Sequence, residues 1–257
     1  MEKLHARTGL LWVKQGFGLF RQQPGGLIIL LLAYMFVTHL INIVPWIGPL
    51  AEMILMPVFS ITFMQAFLHI EEGKRVRPKL LASGFRKPAV FPLMAVGLLY
   101  LTALALTLAG ASLLDDGLLW KIMTKQIDPH ALPADASGGG ILLTALVLIP
   151  VAMAFVFAAP LIYWKKMSLG KAMFFSFFAV QRALRAFFMF AVAWFTIFVL
   201  ALQFLMLIFG MNLLALQLLF MTLLIIFQGA LYAAYRQIFG SPAEPATLPQ
   251  AQPPGQL

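Results

Sequence analysis

Cysteine is absent from this 257-residue sequence, which excludes disulfides and thiolate metal sites. Charge is scarce as well. Only 11% of residues are Asp, Glu, Lys or Arg, against about 25% in an ordinary soluble domain. A water-soluble fold of this size could not cover its surface with so few charges. The four histidines, His5, His39, His69 and His130, are too widely spaced in the chain to suggest a metal cluster. The zincin H-E-x-x-H, the hydrolase G-x-S-x-G, the P-loop and the dinucleotide G-x-G-x-x-G are all missing. No cofactor is therefore expected. Acidic residues number 9 against 18 Lys and Arg, a net charge of +9.

What remains is apolar: 62% of residues are hydrophobic and the mean hydropathy is +0.93. A helix crosses the hydrocarbon layer with about 20 apolar residues. Six runs are long enough, at 26–44, 47–70, 89–114, 141–164, 187–209 and 211–235. The expected fold is all-α, a polytopic bundle of six transmembrane helices arranged as three hairpins. Residues 1–240 form a single membrane domain in this reading. The Pro-rich tail 241–257, which has no aromatic residue, is expected to be disordered. The first run lacks a small-residue cleavage pattern and should act as an uncleaved anchor.

Basic residues mark sidedness. Counted along the chain, the segments outside the spans hold four, none, six, two, five, none and one Lys or Arg. This alternation predicts both termini in the cytoplasm, and an odd number of spans would break it. The excess positive charge is thereby assigned to topology, with no nucleic-acid partner. The hairpins are each preceded by a basic, aromatic stretch, FGLFR (17–21), GFRK (84–87) and FFSFFAVQRALR (174–185). Such a pattern is expected of an internal repeat about an axis along the membrane normal.

Several residues stand out against this background. Arg7, Lys14 and Arg21 recur every seven residues, so a helix holds them on one side, next to a stripe of Leu10, Val13, Phe17 and Phe20. Lys171, Arg182 and Arg185, at offsets of eleven and fourteen, share a side of a second helix. Both trios are candidate contacts for anionic phospholipids, and cytoplasmic interfacial helices would carry them. Within the spans Glu52 is the sole acid, one turn from the outer end of span 2. Across a tight turn it can reach His39, which makes Glu52 and His39 a candidate intramembrane polar site. The amides of Gln65, Gln203, Gln217 and Gln228 are expected to bond between helices. His130 and Asp135 (HALPAD) have the H-x4-D spacing of glycerolipid acyltransferases. They lie in a proline-broken loop without a flanking motif, so coincidence is the better reading.

The runs GFGLFRQQP (16–24), IVPWIGPLAEMILMPVFSITFM (43–64), RVRPKLLASGFRKP (75–88) and KAMFFSFFAVQRALRAF (171–187) resemble an uncharacterised family of six-span inner-membrane proteins of proteobacteria. The likeness is collinear over 9–240 and strongest to betaproteobacterial members. It implies a bacterial inner-membrane location and transfers no catalytic or binding residue. A more distant similarity links the chain to the membrane domain attached to some glycerophosphodiester phosphodiesterases, without that enzyme's soluble catalytic domain or acidic metal ligands. The expected role is that of a non-catalytic membrane component, not an enzyme, that organises or supports an envelope process. Its partners would be the lipid bilayer, anionic phospholipids included, and other membrane proteins. A small-solute transporter or channel is the alternative, and a lipid-modifying enzyme a remote one.

Overall fold

The computed structural model describes residues 4–113, 121, 139–210 and 212–242. Every regular element among them is helical. In chain order these are α1 (Arg7–Gln22), α2 (Pro24–Ile41), α3 (Ile47–Glu71), a short 3-10 helix (Pro78–Ala82), α4 (Val90–Ser112), α5 (Gly139–Phe155), α6 (Ala158–Lys165), α7 (Leu169–Arg182), α8 (Leu184–Phe209) and α9 (Leu213–Phe239). Taking α5 and α6 as one interrupted span, six helices are long and apolar enough to cross a membrane.

The helix boundaries follow local chemistry. Pro24 opens α2, where its missing N–H would have no intrahelical partner anyway. Asn212 caps α9, its side-chain oxygen accepting from Ala215 N at 3.0 Å. The turn between α2 and α3 is tight, and Trp46 at its tip is 88% exposed, as suits an aromatic anchor at a membrane surface.

Span 4 breaks at 156–157, just ahead of Pro160. A proline ring clashes with the carbonyl four residues back and removes one helical hydrogen bond. The bond lost next to this break would join Phe157 N to the Met153 carbonyl. The buried hydroxyl of Ser176, on α7, stands in for it. Ser176 Oγ accepts from Phe157 N at 3.0 Å and donates to Met153 O at 2.8 Å. Backbone groups inside a membrane need such internal partners because lipid offers none.

The core is concentrated at the end of the bundle where α1, the 3-10 helix and α7 lie, hereafter the basic end. Nearly every residue of α3 from Val58 to Ile70 is buried, as are Phe157–Trp164 and much of α9 between Leu223 and Tyr235. Towards the opposite, turn end the helices are mostly exposed, with Thr38, Gly48, Thr107 and Ala111 the buried residues among those described. Among the described residues of α8, Ala186 and Phe190 alone are buried, both near its basic end.

The helices preceding the hairpins pack in a cyclic order. The 3-10 helix rests on α2 and α3, and α7 rests on α5 and α6. The first, α1, closes the ring by packing on α8 and α9. Each thus covers the hairpin before it in this circular order, as an internal repeat about one axis would arrange them.

Helix α1 is inserted more deeply than its amphipathic pattern suggests. Its buried face is Thr8, Gly9, Trp12, Val13 and Gly16, with Phe17 and Phe20 half-buried and Leu10 exposed. Small residues allow this. A Cβ on Gly9 would lie 2.1 Å from the Ala186 carbonyl oxygen, and one on Gly16 would lie 2.6 Å from Ala230 N. Close backbone approach through glycine is a common packing device between membrane helices.

Candidate functional site at the basic end

The polar chemistry of the described residues gathers where the spans emerge at the basic end. Glu71, at the last residue of α3, pairs with Arg236 of α9 and accepts from the Tyr232 hydroxyl. Tyr232 and Arg236 are one helical turn apart and so share a face of α9. Glu72 forms a second pair with Lys74 at 2.9 Å. Gln23, between α1 and α2, fastens the following loop with both ends of its amide. It donates to Lys74 O at 2.8 Å and accepts from Val76 N at 3.0 Å. Trp12 is fully buried, and its indole N–H donates to Gln237 Oε1 at 2.6 Å.

Aromatic rings fill the space between these contacts. Trp164 lies 4.9 Å from Tyr235 and 6.1 Å from Tyr232, centroid to centroid. Phe157 meets Phe187, Tyr235 and Phe239. The Trp164 indole N–H and the Tyr235 hydroxyl are buried with no hydrogen-bond partner among the described residues. Each such orphan costs about 1–3 kcal/mol.

The residues singled out from the sequence are all described except His130 and Asp135, which lie outside the described residues. Arg7, Lys14 and Arg21 are exposed along α1, on the side away from its packed face. Lys171 and Arg182 are exposed on α7. Arg185 is exposed too, but it belongs to α8, because the chain breaks at Ala183 with φ −100° and ψ 18°. The expected trio on one continuous helix is therefore two cations on α7 and one beyond a bend. Extrapolating helical register across 183 is what misled the pattern.

At the turn end Glu52 is half-buried and its partner is Asn42, whose Nδ2 donates to Oε2 at 2.6 Å and also to Thr38 O at 2.9 Å. Tyr34 is close enough to the same carboxylate to feel its charge. His39 is exposed and forms no ion pair with Glu52 among the described residues. The neutral amide of Asn42 thus holds the carboxylate that His39 was expected to pair.

One of the four amides forms a direct side-chain hydrogen bond across helices. Gln228 Oε1 accepts from Ser60 Oγ at 3.3 Å, linking α9 to α3. Gln65 is buried on α3 near Tyr163 of α6. Gln203 and Gln217 are exposed in the turn-end half. The Glu71–Arg236–Tyr232 cluster escaped sequence reasoning. The available signal was opposite charges at matching ends of two spans, with Tyr232 at i−4 from Arg236.

These features define a multi-pass α-helical membrane protein whose tight core lies at one end. The chain is 34% identical over 202 residues to a protein of Burkholderia thailandensis named a probable inner membrane protein, an alignment that covers 76% of this chain and 75% of that one. The chain belongs to the family of that protein, a family of inner-membrane proteins. No family model matches, and no solved structure matches.

Proposed function

We propose that the protein is a non-catalytic component of the inner membrane that organises or supports an envelope process, with its basic end and both termini in the cytoplasm. The carrying observation is the distribution of ionisable groups. In the described spans carboxylate, imidazole, ammonium and guanidinium groups occur only near the ends: His39, Glu52, His69, Glu71, Lys165, Arg185 and Arg236. At mid-depth the interhelical polar contact is the neutral pair Ser60–Gln228. Ion-coupled carriers use ionisable groups or unwound backbone near the midplane. The interruption in span 4 lies towards the basic end, and Ser176 repairs its hydrogen bonding.

Orientation follows the charge count, since cytoplasmic segments collect Lys and Arg. The exposed cations Arg7, Lys14, Arg21, Lys171, Arg182 and Arg185 would then face anionic phospholipids, each contributing about 1 kcal/mol. The exposed apolar half of α8 suits lipid or the span of another membrane protein.

Co-purification from native membranes in mild detergent tests the organising role. A second membrane protein recovered in fixed stoichiometry with the chain is expected, and recovery of the chain with lipid alone would overturn it.

A further inference from the structure

The geometry points to a seat for one anionic diacyl phospholipid in the groove between the C-terminal ends of α7 and α9. The groove holds about 640 Å³. Its walls are Phe175, Phe178, Ile238 and Phe239, and its polar rim includes Arg182 and Gln237. This inference rests on the reading of the basic end as the face turned to an anionic leaflet.

Three features argue for this occupant. The first is charge. Arg182 is exposed at the last residue of α7, and no carboxylate occurs among the described lining residues. The described carboxylates at this end, Glu71 and Glu72, are already paired with Arg236 and Lys74. A guanidinium at such a site favours a phosphate, which it can hold with two parallel hydrogen bonds.

The second is the amide beside it. Gln237 Oε1 is taken by the Trp12 indole. Its Nε2 hydrogens then remain to donate to a headgroup oxygen.

The third is depth. Phe239 ends the span α9 and Arg182 stands two residues ahead of the span α8, so the rim lies where two spans leave the apolar layer. Below the rim Phe175 and Phe178 are 47% and 38% exposed, an open apolar wall against which an acyl chain can lie. A free phosphate would use the rim and leave that wall uncovered. Basic pockets between membrane helices at the cytoplasmic face bind lipid headgroups in this manner.

The test uses the purified full chain in a neutral detergent, titrated with fluorescent phosphatidylglycerol and, separately, fluorescent phosphatidylcholine. Phosphatidylglycerol is expected to bind at least ten-fold more tightly. Arg182→Gln should weaken it about ten-fold, as the loss of one charge-assisted phosphate contact would. Ala179→Phe, which fills the groove without altering charge, should weaken both lipids. Lys79→Gln, an exposed cation on the 3-10 helix, should change affinity less than two-fold. Inorganic phosphate should not compete at millimolar concentration.

Equal binding of the two lipids, an Arg182→Gln effect no larger than that of Lys79→Gln, or full competition by inorganic phosphate would each overturn the seat. Topology reporters that inverted the chain would overturn the orientation and leave this binding measurement intact.

Discussion

Replacing Gly16 tests whether α1 is a packed part of the bundle or a helix resting on its surface. A Cβ at this position would meet Ala230 N at 2.6 Å, the Ile226 carbonyl oxygen at 2.9 Å and Ala230 Cα at 3.0 Å. Ordinary van der Waals contact begins at 3.4 Å, so the shortest approach falls short by about 0.8 Å. All three atoms are backbone and cannot rotate aside. Overpacking of this kind costs about 1–3 kcal/mol, while Gly→Ala in a helix returns up to about 1 kcal/mol. Gly16→Ala should therefore be neutral to mildly destabilising, and Gly16→Leu should pull α1 off α9.

Val13, only 7% exposed on the same face, provides a reporter. Because the chain has no cysteine, Val13→Cys introduces a single thiol whose maleimide labelling reads the undocked population. A loss of about 2.8 kcal/mol in docking would raise that population about a hundred-fold. Gly18→Leu is the internal control, since nothing lies within 4 Å of a Cβ there. The same labelling rate in Gly16→Leu and Gly18→Leu would refute the packed placement of α1.

Other substitutions probe the remaining joints. Ser176→Ala should lower the melting temperature in detergent by removing both bonds that bridge the break in span 4, a loss of about 1–3 kcal/mol for each group left unpaired; an unchanged melting temperature would mean that the helix closes on its own. Arg236→Leu should destabilise by about 1 kcal/mol, because its pair with Glu71 is roughly a third exposed and screened by solvent. A loss of several kcal/mol in a denaturant titration would show that the pair is buried more deeply. Reporter fusions after Phe239 and within 71–88 should read cytoplasm, and one near Gly138 should read the far side; a C-terminal reporter active outside would defeat the proposed orientation.

The number of long helices was legible because each depends only on a run of apolar residues. The first span was expected to start at 26, two residues after Pro24, which opens α2. The depth of the core was not legible. All six spans are similarly apolar, yet Val58–Ile70 of α3 is buried and most of α8 is exposed. Tertiary pairing makes that difference, and composition carries only a weak trace of it, α3 being the least hydropathic span.

Helix α1 illustrates the same limit. Its apolar stripe pointed to Leu10, Val13, Phe17 and Phe20; the packed face keeps Val13 but is centred on Thr8, Gly9, Trp12 and Gly16, and Leu10 is exposed. Hydrophobic periodicity assigns little weight to glycine, although backbone contact between helices selects it. Glu52 was visible as the lone acid of its region, but its partners were not. Asn42 and Tyr34 are neutral, and a search for charge complementarity passes over them.

An interior without a coupled ion path should pass no protons, and flux through the reconstituted protein shows whether it does. The purified chain is placed in liposomes with an internal pH dye, and a proton gradient is imposed with and without sodium. Glu52→Gln is run beside it, because Glu52 is the described carboxylate that lies within a span and away from the basic end. The expected result is a leak equal to that of protein-free liposomes for both proteins. A protein-dependent flux abolished by Glu52→Gln would contradict the organising role and identify the Asn42–Glu52–Tyr34 cluster as a coupling site.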